Sequence, residues 1–196
     1  MNAASQRGRQ QFLLLAALFF APLIAAVLLY FVLPDLQPDT RTNYGELITP
    51  ARPLPDAPLL DADGAEAANE VLRGRWSFIF VGGIDCDDAC AEKLYQIRQI
   101  RTLLNEKRQR VQRVYLAPDV AALAAARQRL AEQHPDLRYF ADTPRADYRR
   151  FFGSEDARAL YLVDPLGNWL MRYPGDADSK GILKDIKKLL RVAQIG

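Results

Sequence analysis

The stretch Trp76-Ser77-Phe78-Ile79-Phe80-Val81-Gly82-Gly83-Ile84-Asp85-Cys86-Asp87-Asp88-Ala89-Cys90 decides the fold. Its first six residues are aromatic, β-branched or small and read as a buried strand. Gly82-Gly83 reads as a short loop, and the run from Cys86 to about Lys107 as a helix. Leu94, Ile97 and Leu104 extend the Cys90 face at helical spacing, with Ile100 alongside. Asp87, Asp88 and Glu92 at its start, and Lys107, Arg108 and Arg110 at its end, suit the helix dipole. Cys86 and Cys90 are the only two cysteines of the chain. A strand, a glycine loop and two thiols at a helix N-terminus are the parts of a redox or metal-binding site.

Outward from this stretch the elements alternate. Val111 to Ala117 reads as a strand, and Pro118-Asp119 starts a helix that stops near His134-Pro135. Leu137 to Ala141 is a second short strand, and Tyr148 to Phe152 a helical turn or two. Residues 159–164 and 169–173 flank Pro165-Leu166-Gly167-Asn168, a β-hairpin with turn chemistry. From Ser179, Ile182, Leu183, Ile186, Leu189, Leu190 and Ala193 make one apolar helical stripe. Alternating β and α elements build a largely parallel sheet covered by helices, and the hairpin adds antiparallel strands. This is an α/β, thioredoxin-like arrangement, with the cysteines where such folds carry reactive thiols.

Toward the N-terminus, Phe12 to Leu33 is a run of 22 uncharged residues. At 1.5 Å per residue it crosses a hydrocarbon core of about 30 Å. Arg7 and Arg9 precede it and the next basic residue is Arg41, which places the N-terminus in the cytoplasm and the rest outside. Six of the twelve prolines lie between Pro34 and Pro58, so that stretch reads as an extended spacer. The chain thus divides into a cytoplasmic N-terminus (1–11), a transmembrane anchor in lipid (12–33), a linker (34–58) and a thioredoxin-like domain (59–196). Leu59 to Gly64 reads as a short strand entering a turn. A domain outside the cytoplasmic membrane is in an oxidising setting, where a dithiol cycles or locks.

The net charge of +2 is nearly balanced and the basic residues are scattered, which gives no support to nucleic-acid binding. Gly82-Gly83 lacks a following Lys-Ser/Thr, so no nucleotide site is expected. Residues i and i+4 on a helix have Cα atoms about 6 Å apart, within the roughly 4.4–6.8 Å a disulfide accepts. By exposure and position Cys86 is expected to attack and Cys90 to resolve. The helix N-terminus favours a thiolate, whereas Asp85, Asp87 and Asp88 oppose it. A thiol less acidic than in strong oxidants follows, hence a reducing or slowly exchanging pair. The acidic surround also argues against a peroxidase. The three aspartates themselves read as helix caps, Arg98, Arg101, Arg108, Arg110 and Arg113 as a solvated face, and His134 as a surface residue.

On these residues the chain resembles the SCO/SenC proteins of cytochrome c oxidase assembly. The resemblance rests on the single N-terminal anchor, on Gly74-Arg75-Trp76-Ser77-Phe78-Ile79-Phe80 before the site, on the Cys86-x-x-x-Cys90 spacing, and on Tyr161-Leu162-Val163-Asp164-Pro165-Leu166-Gly167 in the hairpin. It covers roughly Leu59 to the C-terminus. Asn43 to Ile48 is also similar to the start of membrane-anchored thioredoxin-like proteins associated with bacterial terminal oxidases. The resemblance implies an SCO/peroxiredoxin-type domain, a periplasmic site, copper as cofactor and an oxidase subunit or assembly factor as partner. In the family a histidine eight residues before the hairpin aspartate completes a copper site with the two cysteines. This chain has Asp156 there, and Arg158 where thioredoxins carry a proline. Cu(I) prefers thiolate, imidazole or thioether, so Asp156 adds little to Cys86 and Cys90, and Met171 reads as a packing residue. Two readings stay open: an active thiol–disulfide pair, or a scaffold domain pinned by an inert disulfide.

Overall fold

The structure is a computed structural model that describes residues 3–31, 43–153 and 156–193. It divides into two compact units, residues 1–42 and 43–196. In the first, α1 runs Ala3–Phe31 with Pro22 inside it. Its segment Arg9–Phe31 is long and apolar enough to cross a membrane, and none of it is buried against protein. Residues 32 and 33 of the expected span lie outside the described residues.

The second unit is built on one eight-stranded sheet. Its strands are β1 (Glu46–Pro53), β2 (Leu59–Leu60), β3 (Glu66–Ala67), β4 (Trp76–Val81), β5 (Val111–Ala117), β6 (Leu137–Ala141), β7 (Leu160–Val163) and β8 (Asn168–Tyr173). They lie in the order β1-β8-β7-β4-β5-β6-β2-β3. β4, β5 and β6 are parallel, and the remaining pairs are antiparallel. The helices are α2 (Asp88–Thr102), α3 (Val120–Leu130), α4 (Tyr148–Phe152) and α5 (Ser179–Val192).

Side chains alternate across the sheet with period two. Phe78, Phe80 and Tyr115 enter one core cluster with Leu94, Ile97, Leu123 and Ile186 of the longer helices. Ile79, Val81, Val114 and Leu116 enter a second cluster with Tyr148, Phe152 and Trp169. Every residue of β4 and β5 is buried, as expected where both sheet faces are covered. At the hairpin, the Asp164 carboxylate accepts from the Leu166 and Asn168 amides, and Gly167 takes a φ of 88°.

The sheet corrects the expected linker. Residues 46–53 of the expected spacer are extended, as their prolines imply, yet they form β1 and pair antiparallel with β8. The compact unit therefore begins at Asn43 rather than Leu59. Proline is tolerated because β1 is an edge strand with one partner. Residues 34–42 lie outside the described residues. α2 is also shorter than its polar pattern suggested, because Asn105 adopts a φ of 52° and a 3₁₀ segment, Asn105–Arg110, follows.

Two polar expectations fail for one reason. Arg113 is not part of a solvated face; it stands on β5, is 1% exposed, and forks onto Asp136 while giving a third N–H to the Leu94 carbonyl. Arg101 joins the same carboxylate at 2.9 Å. Arg110 donates to the Leu190 and Ala193 carbonyls at the end of α5. His134 is not a surface residue either: it is buried, with Nδ1 3.5 Å from Arg113 Nη1. Charge counts along a sequence cannot show that one half-buried carboxylate, Asp136, gathers Arg113 and Arg101 and that Arg113 in turn meets His134.

Burial pushes the Asp136 carboxyl up, but the Arg113 hydrogen bonds and the charges of Arg113 and Arg101 prevail and hold it below its ordinary range. Burial lowers His134, and Arg113 and Arg98 lower it further. Asp136→Ala strands a buried guanidinium and should cost about 3 kcal/mol in urea unfolding, near the lower bound for broken buried pairs because the aspartate is partly solvated. For His134 the folded value lies below the unfolded one. Its neutral form thus contributes stability that is complete above the unfolded value, near 6.5, and is lost as pH falls below it. Unfolding midpoints should drop between pH 7.5 and pH 5.5, and His134→Leu should flatten that slope, this being the only histidine.

Candidate functional site

The site lies at the C-terminal edge of the parallel strands, where open α/β sheets place their ligands. β4 ends at Val81, and the Gly82 amide still donates to Leu116 O of β5 at 2.9 Å. The chain then runs through Gly83, Ile84 and Asp85 to Cys86. Asp87 caps α2, its carboxylate accepting from the Cys90 amide at 2.8 Å. Of the three aspartates expected as caps, only Asp87 acts as the N-cap; Asp88 pairs with Arg129 of α3.

Cys86 and Cys90 are joined by a disulfide with Cα atoms 5.2 Å apart. Cys86 is 5% exposed and Cys90 7%. The expected difference in exposure between the two thiols is thus absent from the oxidised form. Cys90 faces the core on the first turn of α2, and bonding to it draws Cys86 inward into the same cluster as Leu94, Tyr115 and Met171. Ile84, at the tip of the loop, is 74% exposed.

Three residues that the sequence did not single out surround this loop. Arg149 of α4 donates through Nη1 to Gly82 O at 2.7 Å, and its amide donates to Asp142 Oδ2. Asp142 follows β6 and is buried; burial raises its carboxyl, partly offset by the amides of Tyr148, Arg149 and Thr143. Tyr115 of β5 places its hydroxyl behind Gly82, where an added Cβ would lie 2.2 Å from Oη. Burial pushes the Tyr115 hydroxyl up to about 12, Arg149 opposing and Asp85 adding. Asp142 could have been found from the rule that sites gather where parallel strands end. Tyr115 and Arg149 carry no local signal, since only the fold brings them to the loop.

Asp156 is placed differently from the expectation that it could be a ligand. Its Oδ2 accepts from the Gly175 amide at 2.7 Å and its Oδ1 from the Arg158 amide at 3.0 Å. Burial raises its carboxyl, but these amides and Arg172 outweigh that and lower it. Lys93, 3% exposed on α2 just after Cys90, donates to the Gly175 carbonyl at 2.9 Å. Asp156 and Lys93 together clamp the segment after β8 onto α2.

Met171 is buried, and its sulfur accepts from the Tyr173 hydroxyl at 3.5 Å. His134 packs on Arg113, toward the opposite ends of the strands. Among the described residues, no group of three or more His, Cys, Asp or Glu is placed to hold a metal. Reduced, Cys86 and Cys90 would supply two soft donors of the kind that Cu(I) prefers.

Comparison with known proteins follows the same lines. Residues 76–193 match the family model described as transmembrane-like, thioredoxin-like, C-terminal domain. A Stutzerimonas stutzeri protein to which copper binding is ascribed is 32% identical over 94 residues, 45% of this chain and 46% of that protein. The chain therefore spans less than half the length of that relative. Apo Sco1 from Thermus thermophilus superposes with a TM-score of 0.62 at 19% identity, over 78% of this chain and 99% of that one. Copper-bound yeast Sco1 gives 0.58 at 21% identity, over 71% and 95%. BsSco, a member of the Sco family of cytochrome c oxidase assembly proteins in which a disulfide switch was identified, gives 0.54 at 15% identity, over 74% and 96%. At these identities the likeness is one of fold, and the resemblance read from the sequence is met at that level.

Because a Cβ on Gly82 would lie 2.2 Å from Tyr115 Oη and 2.3 Å from Cζ of the same buried ring, little can yield. Gly82→Ala should cost about 1–3 kcal/mol, read as a lowered thermal midpoint. The loss should come with faster reduction of the disulfide by dithiothreitol, since Gly82 anchors the loop.

Proposed function

Since the chain belongs to the family of transmembrane-like, thioredoxin-like C-terminal domains, we propose that it is a membrane-anchored thiol–disulfide protein acting through Cys86 and Cys90. In this reading α1 holds it in the cytoplasmic membrane with the domain on the periplasmic side, and it serves the assembly of a respiratory oxidase. The observation that carries the reading is the disulfide itself, set between a glycine loop and the first turn of α2 at the sheet's C-terminal edge. A disulfide closing so short a loop removes little chain entropy, so stabilisation alone accounts for it poorly. The fold of the Sco proteins, the copper binding ascribed to the relative and the two arginines preceding the span support the assignment.

The chemistry needs no group beyond the two thiols. With the pair reduced, the Cys86 thiolate attacks a client disulfide, one client thiolate leaves, and a mixed disulfide joins Cys86 to the client. Cys90, having lost its proton, then attacks Cys86 Sγ. This closes the Cys86–Cys90 bond and releases the second client thiolate. Two electrons pass to the client, which leaves as a dithiol. The same thiolates bind Cu(I) as cargo when an ion is offered.

Burial of both sulfurs favours a second reading, in which the domain docks a partner and the disulfide only pins its loop. The double variant Cys86→Ser, Cys90→Ser separates the two. An active pair predicts loss of oxidase maturation in cells at normal protein levels; retained maturation would leave the docking reading. A competition titration of Cu(I) on the reduced full chain in detergent, against a chelator, then reads the cargo. One-to-one binding abolished by Cys86→Ser establishes copper carriage, and no binding above the chelator leaves disulfide exchange alone.

A further inference from the structure

Tyr115 is a large polar side chain at the root of the Cys86 loop whose hydroxyl, like those of Tyr139, Tyr148 and Tyr161, is buried without a hydrogen-bond partner among the described residues. Its residue is fully buried. A buried hydroxyl left unpaired is costly, and such groups in folded proteins call for a reason. The ring is fixed from beside by Phe80, stacked at a centroid distance of 6.1 Å. The hydroxyl is held against Gly82, at the root of the Cys86 loop. Burial keeps it protonated, so it remains a donor.

The loop in front of it is held unevenly. Gly82 is pinned on both sides, its amide to Leu116 O and its carbonyl to Arg149. Asp87 is pinned by its cap on Cys90. Between them, Gly83, Ile84 and Asp85 make no hydrogen bond among the described residues, so the disulfide alone ties this segment to the core. When the S–S bond opens, the two sulfurs must separate to van der Waals distance. Cys86 is the one that can move, because Cys90 is fixed on a helix turn. Cys86 and Tyr115 both belong to the core cluster between the sheet and the longer helices.

We propose that Tyr115 is a positioning residue of the redox pair: its hydroxyl, idle in the disulfide form, donates a hydrogen bond to the Cys86 sulfur in the dithiol form. This rests on the thiol–disulfide reading above. The balance is simple. Two glutathione thiols reduce the Cys86–Cys90 bond, one S–S bond forms in glutathione disulfide as one breaks in the protein, and the two cysteines gain two electrons and two protons. The hydroxyl gains a partner only on the reduced side, so it shifts this equilibrium toward the dithiol.

The test is Tyr115→Phe in the full chain in detergent, which keeps the ring and removes the hydroxyl. The variant and the wild-type chain are equilibrated in glutathione buffers and the free thiols trapped by alkylation. The equilibrium constant for disulfide formation should rise about threefold to tenfold in the variant, the worth of one hydrogen bond. The thermal midpoint of its dithiol form should fall relative to wild type, while that of its disulfide form stays equal or rises. An unchanged equilibrium constant, or equal losses of stability in both forms, would mean that Tyr115 only packs, and the proposal falls. A wild-type disulfide that no glutathione buffer reduces would overturn the thiol–disulfide reading and this proposal together.

Discussion

Complete burial of β4 and β5 is the constraint from which the rest of the domain follows. Neither strand has a solvent face. Both faces must therefore be covered, α2, α3 and α5 on one and α4 with the Trp169 cluster on the other. A strand with no wet face carries apolar side chains almost throughout, and here its charged and amide exceptions, with Ser77, find internal partners. Ser77 accepts from Gln112, Gln112 also donates to the Val71 carbonyl, and Arg113 is met by Asp136. The guanidinium of Arg113 also takes the Leu94 carbonyl, so the same exception ties β5 to the helix that carries Cys90.

The cysteine site is a product of that covered sheet. Parallel strands end together, and the loops leaving β4 and β6 meet above their common edge. Gly82 leaves β4 there, Asp142 leaves β6, and α4 delivers Arg149 to the Gly82 carbonyl. Cys86 enters this corner from the loop and Cys90 from the helix. The disulfide is thus formed between an element fixed by the core and a segment fixed almost only by the bond itself. That asymmetry, rather than any difference in the exposure of the two sulfurs, is what sets Cys86 apart from Cys90 in the structure.

The sheet and helices were legible in the sequence because their signals are local. Trp76–Val81, Val111–Ala117 and Leu137–Ala141 are short apolar runs bounded by breakers, and the α5 stripe repeats with helical spacing. The hairpin was legible from Asp164 to Gly167, whose turn chemistry is self-contained. β1 was not, since its evident signal, proline, describes extended backbone whether or not a partner strand is present. The pairing of Glu46 with Arg172 is a contact between residues far apart in sequence, and no window of sequence contains it. Arg113 and His134 were misread for a related reason: charge marks a residue as solvated unless one knows that Asp136 lies within reach.

Asp156 shows the limit of reasoning by position. Its place in the chain invites comparison with a metal ligand, but a carboxylate can be spent in other ways. Here its two oxygens accept from the Gly175 and Arg158 amides, while Lys93 takes the Gly175 carbonyl from the opposite side. The segment that could have offered a third donor to the cysteines is instead fastened to α2 as part of the framework. A carboxylate is a poor partner for Cu(I) and a good one for backbone amides, so the substitution and the clamp are consistent with each other. What the structure leaves at the site is two sulfurs, an unpaired hydroxyl and a loop held at Gly82, at Asp87 and by the disulfide between them.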